Sequence, residues 1–137
     1  MPRLAPARLH GYLNGYVDLV FEHAGRYYVL DWKSNHLGNA PGSYGRAAIA
    51  QAMRDQGYHL QQLIYAVALD RYLRQRLPRY DRDAHFGGVL YLFVRGVRPA
   101  WLDDDGAQTG VYFDRPGAAT LDAVAAALGA AATGRSR

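Results

Sequence analysis

Asp31 and Lys33 stand two residues apart at the end of the run GRYYVLDWKS, and thirteen positions earlier Asp18 lies in GYVDLVF. Both runs have the composition of strands, and residues two apart on a strand point to the same face. Two carboxylates can hold a divalent cation. An ammonium beside them stabilises the attacking hydroxide or the charge that develops on phosphorus. This set of groups suits metal-dependent hydrolysis of a phosphodiester, so nucleic acid is the expected substrate.

The elements that carry these residues set a condition on the site. If Ala24-Gly25 is a two-residue turn, His23 pairs with Arg26, and counting outward puts Asp18 directly opposite Asp31. Opposed residues share a face with Cβ atoms about 4.5–5.5 Å apart, and two bare carboxylates there would repel unless a cation lay between them. A three-residue turn would set Asp18 opposite Leu30, on the wrong face unless a bulge corrected it. Alanine is a poor residue for the primed turns that close short hairpins. Acid-x-Lys alone is common on exposed strand ends. Asp18, however, lies between Val17 and Leu19 in a run otherwise suited to burial, where an unpaired charge is costly.

The chain has 137 residues, half of them hydrophobic, which is enough for one domain with a modest core. Its net charge of +4 is compatible with a polyanionic partner. Without cysteine, disulfides, thiolate zinc sites and iron–sulfur clusters are excluded. The five histidines, at positions 10, 23, 36, 59 and 85, form no HxxxH or HxH pair. No signal peptide or membrane span is evident, so the expectation is a soluble protein of the bacterial cytoplasm.

Pro2 and Pro6 give the first nine residues the character of an irregular lead-in, followed by a short strand over 9–14. Strands are predicted over 16–22 and 26–33, and a loop over 34–44. A helix capped by Ser43 runs to about Gln56, where Gly57 breaks it. A second helix over 58–77 places Leu60, Leu63, Ile64 and Val67 at helical spacing and stops at Pro78. The run HFGGVLYLFVR is apolar on both faces and reads as an interior strand. Residues 111–113 form a further strand, and 117–132 an alanine-rich helix. Gln61 and Tyr65 fall four apart on the second helix, one above the other.

Other features carry less. Asp103-Asp104-Asp105 lacks the alternate spacing of a calcium loop and reads as a solvated turn. Arg71, Arg74, Arg76, Arg79 and Arg82 make the end of the second helix basic, facing either DNA or solvent near the helix C-terminal dipole. Trp32 and Trp101 have the chemistry to stack bases, but Trp32 alternates away from Asp31 and Lys33 and is expected in the core. The many tyrosines read as packing.

Together, GYLNGYVDLVFEHAGRYYVLDWKSNHLG, YHLQQLIYAVALDRYLRQRL, HFGGVLYLFVRGV and GVYFDRPG resemble the RecB-type nuclease domains of exodeoxyribonuclease V, within the PD-(D/E)XK superfamily. The resemblance spans residues 9–117 of a single domain occupying 1–137. It implies an α/β restriction-endonuclease-like core, a mixed sheet built from a β-hairpin plus a central strand and flanked by helices. It implies Asp18, Asp31 and Lys33 as the active site, and Gln61 and Tyr65 as the family's Q-x-x-x-Y helix motif, bracing the site and touching DNA phosphates. By the same resemblance Asp18, Asp31 and the backbone carbonyl of Trp32 hold magnesium, with manganese a possible substitute. DNA and RecC-like, RecD-like and RecA-like proteins are the implied partners.

The pattern departs from the family in one respect. The superfamily core usually begins with a helix ahead of the hairpin, and in the RecB-type family that region supplies a further metal ligand, often histidine; here no helical pattern precedes Asp18. His10 lies closer in sequence than that ligand would. With this first helix absent, Leu63 and Ile64 are expected to be left uncovered, and self-association is one remedy. No GxxxxGK[ST] loop is present. The competing expectation is a non-catalytic module that keeps the fold and docks other subunits or a recombinase.

Overall fold

The computed structural model describes residues 4–7 and 17–134, with the side chains of 19–129. Five strands, β1 (Leu4–Ala7), β2 (Val17–His23), β3 (Arg26–Lys33), β4 (Phe86–Phe93) and β5 (Val111–Asp114), form one sheet in sequential order. All neighbours are antiparallel except β3 and β4. That parallel pair requires a crossover, supplied by α1 (Arg46–Asp55), α2 (Tyr58–Arg76) and the single turn α3 (Arg82–His85). α4 (Ala118–Gly134) follows the last strand. The mixed sheet with flanking helices is the α/β architecture expected from the sequence.

The hairpin closes as the register argument requires. His23 pairs with Arg26, Phe21 with Tyr28 and Leu19 with Leu30. Both turn residues have positive φ, 52° at Ala24 and 82° at Gly25, the signature of a primed two-residue turn whose twist matches the strands. Alanine tolerates this conformation at a cost.

Where the chain leaves β3 it makes a 3-10 turn over Pro41–Tyr44, and α1 then starts at Arg46. Gly45 and not Ser43 is therefore its N-cap, because Ser43 lies inside the 3-10 turn that Pro41 begins. Gly57, with φ 69°, separates α1 from α2 as expected. α2 buries Gln62, Tyr65, Ala66, Leu69 and Leu73 against the sheet. The predicted stripe holds only in part: Val67 is buried and Leu63 and Ile64 are half-buried, but Leu60 is 64 % exposed. The apolar pattern misleads here because polar Gln62 faces inward, donating from its amide to the Asp114 carboxylate.

Two further expectations change. The lead-in contains a strand, since Leu4 pairs with Phe21 and Ala5 with Val20. The pairing shifts between Ala5 and Ala7, so Pro6 falls at an irregularity of an edge strand, where its missing N–H disrupts no ladder. The strand expected over 9–14 lies outside the described residues, as does His10. Trp32 points away from Asp31, as alternation demands, but is 48 % exposed and not in the core. It lies on the second face of the sheet with Phe21, Tyr28, Leu30, Leu90 and Phe113, and the side chains that meet α2 come from the first face. Phe21 stacks on Tyr28 with centroids 5.1 Å apart, and Phe113 is half exposed.

Candidate active site

Asp31 and Lys33 occupy the last positions of β3, on the sheet face that α2 covers. Asp31 is 7 % exposed, and the Lys33 ammonium sits 3.0 Å from its Oδ2. A carboxylate this buried needs a partner of opposite charge, and Lys33, its side chain only 15 % exposed, supplies one. Lys33 is also the only lysine among sixteen lysine and arginine side chains.

What stands opposite Asp31 on β4 is decided by a bulge. Tyr27 pairs with Phe86 but Tyr28 with Gly88, so Gly87 is an extra residue in β4. From there the register runs Asp31 to Tyr91 and Lys33 to Phe93. Without the extra residue Leu90 would stand beside Asp31. Glycine is required here, because a Cβ on Gly87 would lie 2.6 Å from the Tyr27 carbonyl oxygen. Gly88 has φ +130°, and a Cβ there would meet the Asp114 carbonyl at 2.6 Å.

Tyr91 is fully buried, and its hydroxyl donates to Gln61 Oε1 at 2.9 Å. Burial pushes that hydroxyl well above the usual tyrosine range, with the Asp31 charge adding to it, so it remains a donor. Tyr58, the first residue of α2, stacks on Tyr91 with centroids 5.9 Å apart and donates to Asn35 Oδ1 at 3.3 Å. The Lys33 ammonium lies 4.3 Å from the Tyr58 ring centroid and 5.4 Å from that of Tyr91. Tyr65, one turn after Gln61, is buried and contributes to the rise at Tyr91. The structure thus gathers Asp31, Lys33, Gln61 and Tyr65 at one end of the sheet.

Asp18 belongs to β2, and extending the observed register by one pair past Leu19 and Leu30 puts its backbone opposite Asp31. Its side chain lies outside the described set. Carboxylate oxygens at the end of a strand pair suit a hard, oxygen-seeking cation such as magnesium or manganese. Asp31, with its buried Oδ2 facing an ammonium, is in this sense a fitting ligand. Among the described residues there is no group of three or more His, Asp or Glu side chains placed to hold a metal.

The other sequence candidates have structural partners. Asp103 accepts the N–H groups of Asp105 and Ala107, each at 2.9 Å, which makes the acidic stretch a self-closing turn. Within the basic cluster, Arg74 and Arg82 are bound to Asp70, and Arg82 also to Asp122. Trp101 packs on Tyr44 and lies under the Arg98 guanidinium, 4.7 Å away.

Sequence reasoning missed Tyr58, Tyr91 and Asn35. Two signals were available: paired glycines inside a strong strand mark a bulge, and a single lysine in a chain otherwise rich in arginine marks a place where an ammonium is needed.

The fold, with an acid-x-lysine pair at the end of the second hairpin strand, agrees with comparison against known families. A profile described as the PD-(D/E)XK nuclease superfamily matches residues 4–136, a span that includes the five strands and four α-helices of the described residues. The chain belongs to that superfamily. Within it, the chain is similar to proteins named RecBCD enzyme subunit RecB. It is 48 % identical to that of Escherichia coli over 120 residues, covering 88 % of this chain and 10 % of the relative. It is 43 % identical to that of Haemophilus influenzae over 109 residues, 80 % of this chain and 8 % of the relative. It is 43 % identical to that of Mycolicibacterium smegmatis over 130 residues, 90 % and 12 % respectively. The chain thus spans about a tenth of the length of the curated relatives it matches.

Proposed function

We propose that this chain is a magnesium-dependent deoxyribonuclease domain that hydrolyses DNA phosphodiester bonds as part of a RecBCD-type assembly processing double-strand ends. The observation that carries the reading is the 3.0 Å pair between a buried strand-end carboxylate and the only lysine, beside the first turn of α2. Asp18 and Asp31, with the Trp32 carbonyl, would hold the cation, which when bound supplies Lewis acidity at the phosphodiester.

The chain's own groups do the rest. The Lys33 ammonium donates a charge-assisted hydrogen bond to a phosphoryl oxygen as negative charge builds there. The Gln61 carbonyl oxygen accepts from Tyr91, which leaves its NH2 as the group that would donate to phosphate. Tyr65, one turn further along α2, would brace the site. The first turn of α2 holds no acidic residue of its own, so its N-terminal dipole favours an anion there.

A cytoplasmic setting and RecC-like, RecD-like and RecA-like partners accompany this reading, by analogy with the named relatives. A second reading is a docking module without turnover, favoured by the apolar second face of the sheet, where Trp32 and Phe113 are half exposed. One assay separates the two. Lys33→Ala should lower kcat by about 10²–10³-fold, the usual loss for one transition-state donor, while DNA affinity stays within about twofold, since many basic groups share the phosphate contacts. Equal losses of binding and cutting would reduce Lys33 to a phosphate contact. A wild-type chain that binds partners and never cuts would establish the docking module.

A further inference from the structure

The sequence uses arginine wherever else it needs a cation and lysine only at position 33. Lysine presents a compact charge on a flexible stem, whereas arginine presents a broad planar fork that holds its own geometry. A flexible ammonium is useful in a reaction only if something else fixes it. In this structure Asp31 holds it at 3.0 Å, yet in the nuclease reading the same carboxylate is engaged with a cation, which competes for the oxygen Lys33 contacts.

We propose that Tyr58 and Tyr91 are positioning residues whose two ring faces hold the Lys33 ammonium in place when the Asp31 carboxylate turns to the metal. The inference rests on the nuclease reading and adds a role for two aromatic residues on different elements. The rings lie 4.3 and 5.4 Å from the ammonium and stack at an interplanar angle of 17°, so they form one continuous wall. Each ring is anchored at its far end: Tyr91 by its hydroxyl on Gln61 and Tyr58 by its hydroxyl on Asn35. Tyr91 reaches this wall only because the Gly87 bulge sets it opposite Asp31. A cation over a ring face is attracted by the ring quadrupole, most strongly where water is excluded. An ammonium with a side-chain exposure of 15 % meets that condition.

Because Lys33 is the only lysine, protein labelled with ¹³Cε-lysine gives a single side-chain resonance from the intact chain. Its Hε protons should lie upfield of the free-lysine position through the two ring currents. They should remain upfield when magnesium or manganese is added. Tyr58→Leu should move them toward the free position and lower kcat about tenfold, with KM for duplex DNA within about twofold. Tyr58→Phe keeps the ring and should restore both readouts to near wild type. A resonance already at the free-lysine position in the wild type, or one that Tyr58→Leu leaves unmoved, would overturn the cradle. So would a Tyr58→Phe variant as slow as Tyr58→Leu, which would assign the effect to the Asn35 hydrogen bond. If the wild-type chain cuts no DNA with either cation, the nuclease reading fails, and the resonance by itself then decides whether the cradle exists.

Discussion

Replacing Asp70 with asparagine tests how the helix that builds the site is held. Asp70 lies on the buried side of α2, 5 % exposed. Its carboxylate accepts the Tyr80 hydroxyl at 2.5 Å, Arg82 through Nε at 3.1 Å and Nη2 at 3.0 Å, and Arg74 at 3.3 Å. Arg82 goes on to Asp122 at 3.0 Å, so one cluster ties α2 to the entry of α3 and to α4. Burial alone would raise the Asp70 carboxyl. Hydrogen bonds from Arg82 and Tyr80, and the charges of Arg82 and Arg74, outweigh it and hold the group below the usual carboxylate range.

Removing one member of a buried pair costs about 3–5 kcal/mol, because the remaining charge loses its compensation. Arg82 keeps 20 % side-chain exposure, which places Asp70→Asn near the lower end, about 3 kcal/mol. With a urea slope of about 1–3 kcal/mol per molar, the midpoint should fall by about 1 M or more. Arg74→Ala, at a partner 61 % exposed, should cost less than about 1 kcal/mol.

The sign of the pH dependence follows from the lowered carboxyl. The stabilisation is fully present above the unfolded-state pKa of about 3.9 and is lost as pH falls through the lower folded value. Urea unfolding followed by tryptophan fluorescence should therefore show a constant gap between wild type and Asp70→Asn from pH 8 to pH 5, closing below pH 4. A cost under about 1 kcal/mol at pH 7, or a gap that widens in acid, would refute the argument.

Other outcomes follow from the turn, the bulge and the donor set. Ala24→Asn places a residue that tolerates positive φ where φ is 52°, and should stabilise the chain by about 0.5–1 kcal/mol in thermal unfolding. Gly88→Ala adds a Cβ 2.6 Å from a backbone oxygen at φ +130°, and should cost at least about 1–3 kcal/mol in chemical denaturation and slow cleavage by displacing Tyr91. Manganese, more tolerant of a sparse oxygen shell, should support faster DNA cleavage than magnesium, and a chelator should abolish both. Equal rates with the two ions would count against a sparse shell.

The strand-end chemistry was legible because it depends on period-2 alternation and one turn length, both written locally in GYVDLVFEHAGRYYVLDWKS. The hairpin register followed from the same run even though Ala24 is an unfavoured turn residue. What escaped the sequence depends on partners distant along the chain. The inward face of α2 could not be read from its apolar residues, because Gln62 is buried by Asp114, 52 positions away. Tyr91 could not be assigned to the site until the bulge at Gly87 set its register against β3. Pro6 concealed an edge strand that only pairing with β2 reveals.

The location of the site follows from the topology. A parallel pair cannot be closed by a hairpin, so after β3 the chain must travel back along the sheet before β4 can begin. α2 makes that return: its 19 residues span about 28 Å at 1.5 Å each, close to the roughly 26 Å of the eight residues of β3. A helix running back from the carboxyl end of β3 necessarily starts there, which is why Tyr58 meets Lys33. The same requirement sets the positive end of the helix dipole beside the carboxyl ends of β3 and β4. In the proposed reading, an anionic phosphodiester at that edge would meet an ammonium, an amide donor and a helix N-terminus on one face. The Asp31 carboxylate opposes it, as Asp18 would in the proposed reading, and a bound divalent cation would reverse that local sign.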